Sequence, residues 1–178
     1  MARLTRAFAV LIAVAALALV STGLAAAGNQ VPFHVTVTDE QVTLLPSCPV
    51  AGYACAAFGG SGQVTHLGKT SESGTTMFDA VAFIGSETHC AAENGANTLT
   101  AANGDQLFIT FSGMVCATSP DFSSGHDTLT FTIVGGTGRF AGASGGGSLL
   151  SDFTLTSPTA GLATSTYDGT ISSPGPLH

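Results

Sequence analysis

The chain has 178 residues, of which 44% are hydrophobic and only 8% charged, and its formal net charge at pH 7 is −7. This acidity argues against nucleic acid and anionic membrane surfaces as partners, because both attract a basic patch. The length favours one domain with a buried core over two smaller domains.

The N-terminus has the pattern of a secretory signal peptide. Arg3 and Arg6 give a basic start, an apolar run follows over Ala7–Val20, and small alanines precede the expected cleavage point. About 14 apolar residues are too few for a membrane-spanning helix, which needs ~20. We therefore predict a cleaved signal peptide over 1–27 and a secreted, soluble domain over 28–178, with no stable membrane insertion.

Four cysteines follow the predicted cleavage point. An even number in an oxidising compartment predicts two disulfides, although four cysteines allow three connectivities. The spacing favours Cys48 with Cys55, which closes a short loop containing Pro and Gly, and Cys90 with Cys116. A zinc site would need closer pairs of cysteines and nearby histidines. The prediction is two disulfides, no metal and no cofactor.

The first part of the domain alternates as a strand does. Phe33, Val35 and Val37 point one way and the polar residues between them point the other, as the two-residue period requires. A second apolar patch follows at Val42–Leu45. No helical pattern of useful length is present, so strands are the expected elements.

The middle of the domain is interpreted as strands separated by glycine-rich breaks. A strand is predicted at Ala56–Phe58, a break at Gly59–Gly62 and a new strand at Gln63–Lys69. A further strand is predicted over Thr75–Ile84, and a loop over Gly85–Ala96.

The clearest local signal is a β-hairpin. Its arms are Thr98–Ala101 and Asp105–Val115, and Asn103-Gly104 lies between them. Asn and Gly both tolerate the positive φ of a type I′ turn, so the sequence predicts that turn here.

Three more strands are predicted, at Asp127–Val134, Gly145–Thr156 and Ala163–Ile171. Eight or nine strands with short connections leave no room for crossover helices, which indicates an antiparallel sheet. Such a sheet avoids open edges by closing on itself or by packing against a second sheet. We predict an all-β fold, a single antiparallel barrel of about eight strands, with a β-sandwich as the alternative.

One glycine-rich stretch carries a family resemblance. Val134–Gly145 reads VGGTGRFAGASG, and it resembles the strand, turn and strand of dirigent and allene oxide cyclase-like β-barrels. Thr65–Gly68 and Ala101–Asp105 are similar to segments of small secreted bacterial proteins with this signature. The resemblance spans about Gly60–Ile171.

The resemblance implies an eight-stranded barrel with a central cavity and assembly as a homo-oligomer, since plant members are often trimers. The style of the signal peptide and the bias toward alanine, glycine and threonine are compatible with a bacterial source. Allene oxide cyclases close a fatty-acid epoxide, and dirigent proteins steer phenoxy-radical coupling. No pocket residue of either group matches a position in this chain, so the resemblance assigns no catalytic or ligand-binding residue.

Several residues have the right chemistry for a site but the wrong context. Ser144 stands in a G-x-S-x-G string, yet that motif needs a following helix, so Ser144 is predicted to be a turn residue. His34, His66, His89 and His126 have no nucleophile or second ligand at a meaningful spacing. The segment between Asp121 and Asp127 lacks the EF-hand spacing of a calcium loop.

Asp152 and Asp168 lie within predicted strands. If they pointed into a barrel, burial would raise their pKa and suit them to acid–base chemistry. However, they share a strand face with Thr154 and Thr166, which the alternation assigns to solvent.

Three functions follow from these observations. The first is binding of a small hydrophobic molecule in a cavity lined by Phe111, Phe131 and Phe153, which fails if the barrel is packed shut. The second is an extracellular structural or interaction protein with an exposed apolar surface. The third is an isomerase or cyclase acting on a small hydrophobic substrate, which requires an ionisable group deep in the cavity. Binding is favoured over enzymatic activity.

Overall fold

A closed β-barrel accounts for nearly all of the computed structural model, which describes residues 29–172. The predicted signal peptide lies outside these residues. The described chain forms eight strands: β1 (Gln30–Leu44), β2 (Tyr53–Val64), β3 (Gly68–Asp79), β4 (Cys90–Ala101), β5 (Gln106–Ala117), β6 (Ser124–Gly136), β7 (Gly145–Ser157) and β8 (Ala160–Ser172). A short helix, α1 (Ala80–Gly85), joins β3 to β4, and a 3-10 turn (Gly138–Phe140) lies between β6 and β7.

Each strand pairs antiparallel with the next, and β8 pairs with β1 to close the sheet. Val35 on β1, for example, lies opposite Val64 on one side and Tyr167 on the other. The predicted eight-stranded antiparallel barrel is confirmed, and the sandwich alternative is wrong. Closure leaves no strand edge unpaired. Within residues 29–172, no helix has the length and apolarity that crossing a membrane requires.

Strand β1 has the predicted alternation up to a β-bulge. Phe33, Val35 and Val37 are buried, as expected. The pairing register then shifts, and Asp39 adopts a positive φ of 53°. The extra residue changes which positions face inward, so Glu40 enters the barrel.

The predicted break at Gly59–Gly62 is wrong, because β2 continues through it to Val64. Glycine fits here because the barrel interior is crowded: a Cβ on Gly60 would lie 2.7 Å from Val37 Cγ1. The predicted strand Gln63–Lys69 is wrong for the same reason. Its centre is the turn between β2 and β3.

The predicted strand Thr75–Ile84 ends early, at Asp79, and α1 follows. The Asp79 carboxylate accepts a hydrogen bond from the backbone N–H of Ala82 (2.9 Å), which caps the helix. The predicted loop Gly85–Ala96 is also wrong, since β4 begins at Cys90. The inward positions at the start of β4 are Ala, Glu, Gly and Asn, so no apolar alternation marks the strand.

The Asn103-Gly104 hairpin is confirmed, with Leu99 opposite Leu107. Its turn differs from the predicted type I′, because Gly104 (φ 89°) has a positive φ and Asn103 does not. Ala101 N–H donates to the Asp105 carbonyl (2.9 Å) across the loop. Three-residue hairpin loops have this form, with one left-handed glycine.

The two ends of the barrel differ. At the closed end, the connections β2–β3, β4–β5 and β6–β7 meet, and Phe140 and Leu67 pack into the main core with Phe33, Leu107 and Ile171. The open end carries the other connections and α1. Both disulfides, Cys48–Cys55 and Cys90–Cys116, are formed at the open end with the pairing that the spacing favours.

Candidate functional site

The open half of the barrel contains a cavity of about 360 Å³. This volume is within the range of small-molecule sites, roughly 300 to 1,000 Å³. The cavity wall is mainly apolar and includes Val42, Phe58, Phe111, Leu129, Leu149 and Phe153. The barrel is therefore not packed shut.

Two of the three phenylalanines predicted to line a cavity do so, namely Phe111 and Phe153. Phe131 does not. It is fully buried in the main core, where its ring centroid lies 5.7 Å from that of Phe33 and 5.5 Å from that of Tyr167. The alternation placed Phe131 inside the barrel but contained no information on depth.

Aromatic rings narrow the mouth of the cavity. Phe83 of α1 is buried, and its ring centroid lies 5.2 Å from that of Phe78 and 5.5 Å from that of Phe122. Val81 and Ile84 of α1 are 70% and 64% exposed, and Ile84 also lines the cavity. The helix thus places Phe83 and Ile84 at the opening and presents Val81 to solvent.

A ring of polar side chains interrupts the apolar wall. We call it the acid belt, and it consists of Glu40, Thr76, Glu93, Asp127, Ser151 and Ser165, all of which line the cavity. These residues come from β1, β3, β4, β6, β7 and β8, so the belt extends around most of the barrel's circumference.

Hydroxyl groups hold two of the three belt carboxyls. Ser165 Oγ donates to Glu40 Oε2 (2.7 Å) and lies 3.2 Å from Ser151 Oγ. On the opposite side, Thr76 Oγ1 donates to Glu93 Oε1 (2.6 Å). Each glutamate is thereby fixed through one oxygen, which orients the carboxyl group within the cavity.

The backbone is adapted to bring these carboxyls inside. Glu40 enters because of the bulge at Asp39, and Gly60 across the strand pair leaves the space it occupies: a Cβ there would lie 3.2 Å from Glu40 Cα. Gly113 of β5 lies opposite Glu93 in the β4–β5 pairing. Because this residue is a glycine, no side chain separates Glu93 from β6. Bulges are common beside functional sites because they redirect a side chain.

A second polar cluster, the Tyr167 triad, joins the acid belt to the main core. The Tyr167 hydroxyl donates to Glu72 Oε1 (2.6 Å) and accepts from Asn97 Nδ2 (2.7 Å), and Asn97 Nδ2 also donates to Glu72. All three side chains are buried. Tyr167 also lines the cavity, so the triad supports its inner surface.

Burial makes these carboxyl groups hard to ionise. Desolvation, together with the nearby charge of Glu72, raises the pKa of Glu40 to about 7. Desolvation and the charge of Glu93 raise the pKa of Asp127 to about 8. Burial also raises the pKa of Glu72 and of Glu93. At neutral pH the cavity therefore contains carboxyl groups in both protonation states.

The described part of the chain has only two Lys or Arg side chains, and neither reaches the acid belt. Arg139 lies near the closed end, with its Nε 3.9 Å from Asp105 Oδ2, and Lys69 is exposed at the start of β3. The buried carboxyls therefore have no positive partner within residues 29–172.

Some belt oxygens also lack a hydroxyl or N–H donor. Glu93 Oε2 and Asp127 Oδ1 are inaccessible to solvent and accept no hydrogen bond from such a group of residues 29–172, and the same holds for Glu72 Oε2 and Asn97 Oδ1. The Glu93 and Asp127 carboxyl groups hydrogen-bond each other, which requires a proton on one of them. Buried polar atoms in native proteins are nearly always partnered. The shared proton supplies that partner for Glu93 and Asp127, both of which line the cavity.

The residues considered from sequence mostly lie elsewhere. Asp152 and Asp168 are exposed on the outer wall, as the alternation predicted. Ser144 is exposed in the turn before β7, and Asp121 accepts from Ser123 Oγ (2.7 Å) in the β5–β6 connection. Asp127, considered only as a calcium-loop residue or a neighbour of His126, belongs to the acid belt.

The histidines do not enter the cavity. His34, His66 and His126 are exposed, and His89 packs against the Phe122 ring with centroids 5.0 Å apart. Across residues 29–172, no group of three or more His, Cys, Asp or Glu side chains is arranged to hold a metal ion.

Sequence reasoning missed Glu40, Glu72, Glu93 and Asn97. Asp127 had a usable signal, because it shares its strand face with Leu129, Phe131 and Ile133. An acidic residue on an otherwise apolar strand face is therefore the one sequence signal that points to this site. No protein-family model matches the chain, and a comparison with curated proteins finds no match. The geometry of the cavity is thus the basis for a functional proposal.

Proposed function

We propose that this protein binds a small, mostly apolar molecule inside the barrel and holds one polar group of that molecule against the acid belt. The observation that carries the proposal is the cavity itself, which is preformed, apolar on most of its wall and interrupted by a single polar ring. Ligand sites typically have this composition, because apolar area gives affinity and a few polar groups fix orientation.

A dye-binding measurement tests the proposal. We expect prodan, a small neutral dye whose emission depends on polarity, to bind the purified protein at one site with a blue-shifted emission. Native mass spectrometry of protein purified from culture medium would show a bound molecule as a mass lost on denaturation. A bare chain that also fails to bind prodan would contradict the proposal.

Two neighbouring leucines provide a matched pair of variants. Leu149 lines the cavity and is 3% exposed, whereas Leu150 is on the outer wall and is 53% exposed. We expect Leu149→Trp to fill the cavity and abolish prodan binding, and Leu150→Trp to leave it unchanged. The natural chain has no tryptophan, so fluorescence of each new indole also reports whether it is buried.

Acid–base catalysis of an isomerisation or cyclisation is a second candidate function. The pKa of Glu40 is raised to about 7 and that of Asp127 to about 8, and groups that titrate near neutral pH serve as general acids and bases. Both line the cavity, as this candidate requires. Turnover of a bound hydrophobic substrate that is lost in Asp127→Asn but retained in Asp152→Asn would support it.

We also propose that the protein is secreted and is related to dirigent-like barrels. The N-terminal pattern over residues 1–27 supports export, and two disulfides suit an oxidising compartment. The glycine-rich connection between β6 and β7, in an eight-stranded barrel, supports kinship with dirigent-like bacterial proteins. A homo-oligomer, expected from that kinship, is tested by the native mass measurement.

A further inference from the structure

We infer that the polar group received by the acid belt is a protonated amine, and that the ligand is a compact hydrophobic ammonium compound. This inference rests on the proposed binding function and specifies the chemical class of its ligand. It concerns the side of the belt where Glu93 and Asp127 meet.

The first argument is charge. Four carboxyl groups, those of Glu40, Glu72, Glu93 and Asp127, share the barrel interior, and no Lys or Arg of residues 29–172 lies among them. Buried carboxyl groups are either neutralised by protons or paired with an opposite charge. A cationic ligand would supply the pairing that the described chain does not, and would replace the protons that these groups otherwise hold.

The second argument is the pairing of Glu93 with Asp127. Glu93 is only 6% exposed, lines the cavity and uses Oε1 to accept from Thr76. Its carboxyl group and that of Asp127, which also lines the cavity, hydrogen-bond each other, and this requires a proton on one of them. An ammonium group has three N–H donors, so it can donate to both carboxyl groups in place of the proton they share.

The third argument is the surroundings of these oxygens. The cavity wall beyond the belt is apolar, with Val115 and Phe153 toward the mouth and Phe111 deeper on this side. A freely hydrated cation would lose its water shell here without compensation. An ammonium on a compact hydrocarbon body would instead bury that body against the wall while its charge reaches the carboxylates.

A set of three probes with the same hydrocarbon body tests the inference: 1-adamantylamine, 1-adamantanol and 1-adamantanecarboxylate. Each is titrated as a competitor of prodan at about pH 8.5. We expect the amine to bind about tenfold more tightly than the alcohol, as an added charge-assisted hydrogen bond would give. The carboxylate should bind least. Equal or weaker binding of the amine relative to the alcohol would overturn the inference.

Repeating the amine titration in two different buffers measures how many protons are released or taken up on binding. The titratable group that faces Glu93 is Asp127, on which the charge of Glu40 also acts. Glu40 in turn interacts with Glu72 and the Tyr167 hydroxyl, so all the groups of this set are acidic. An arriving ammonium favours their ionised forms, so amine binding should release protons at about pH 7 and tighten as the pH rises from about 6 to about 8.5. Amine binding with no proton release and no pH dependence would contradict the assignment.

Glu93→Gln is the decisive variant, because it keeps the shape and removes the charge. We expect the amine to lose its tenfold advantage while the alcohol binds as before. Glu87→Gln changes an exposed glutamate in the α1–β4 connection and serves as the control. An unchanged amine preference in Glu93→Gln would refute the inference, and the folding of each variant is verified by its thermal transition.

Failure of the inference is distinguishable from failure of the proposed function. If prodan and the alcohol bind and Leu149→Trp blocks both, but the amine has no advantage, the cavity is a neutral-ligand site and only the inference is wrong. If neither prodan nor any adamantyl probe binds and the native mass is bare, the binding function itself is wrong.

Discussion

The closed and open halves of this barrel use the same eight strands and the same alternation, yet only the closed half has a fully packed interior. In the closed half the inward positions are large and apolar, including Phe33, Phe131 and Leu107, which are at most 1% exposed. In the open half they are often Ala, Gly, Ser or an acid. The comparison shows how a continuous sheet can be stabilised at one end and leave space for a ligand at the other.

The largest expected difference between the halves is in how much free energy of unfolding is lost when a phenylalanine is truncated to alanine. Phe131→Ala removes a fully buried ring from the main core and should lower the free energy of unfolding by about 3 to 5 kcal/mol. Phe153→Ala enlarges an existing cavity and should cost about 1 kcal/mol. Urea denaturation of both variants measures this difference. Equal losses would mean that the open half is as tightly packed as the closed half.

The disulfides should rank next, and both stabilise the open end. Their sequence separations are 26 for Cys90–Cys116 and 7 for Cys48–Cys55. If a disulfide acts by restricting the unfolded chain, replacing the longer pair with serines should cost about 3.5 kcal/mol and replacing the shorter pair about 2.4 kcal/mol. Thermal unfolding of the two double variants under the same conditions gives the order. The reverse order would contradict the chain-entropy explanation.

The acid belt should make stability depend on pH. The pKa of Glu40 is about 7 in the folded protein and has an ordinary value of 4.5, so between these values the folded chain holds a proton that the unfolded chain has lost. The contribution of Glu40 to stability is therefore complete below about pH 4.5 and falls by about 3 kcal/mol as the pH rises to about 7. Urea titrations across this range measure the slope.

Glu40→Gln should flatten that pH dependence, and Glu87→Gln, which changes an exposed residue, should retain it. A wild-type protein that becomes more stable between about pH 5 and about pH 7 would contradict the buried, cation-free setting assigned to the belt.

The smallest expected effect is at the junction of the two halves. A Cβ on Gly60 would lie 2.7 Å from Val37 Cγ1 and 3.2 Å from Glu40 Cα, so Gly60→Ala should cost about 1 to 3 kcal/mol and displace Glu40. A Cβ on Gly85 would meet nothing within 4 Å. Gly85→Ala is the control, with an expected change within about 0.5 kcal/mol. Similar effects of the two substitutions would show that the bulge is not tightly constrained.

The barrel was predictable from sequence because alternation and turn signals act locally. The site was less so. Glu40 faces inward only because of the bulge at Asp39, which shifts the alternation and which the apolar pattern of β1 does not reveal. Glu93 lies in a strand whose inward neighbours, Ala91 and Gly95, are too small to mark a core. Asp127, by contrast, is in phase with Leu129, so the pattern contained a signal for its inward position that the sequence analysis did not use.

The pairing of β8 with β1 also has a consequence for how the molecule is made. It joins Gln30 to Ser172, the most distant partners along the chain, so the barrel cannot seal until its final strand has emerged. The hairpins and both disulfides join residues that are much closer in sequence and can form earlier. Long-range pairing is slow. The wall of the cavity is therefore completed only when β8 pairs with β1. A chain that lacks β8 has no closed cavity in which to bind a ligand.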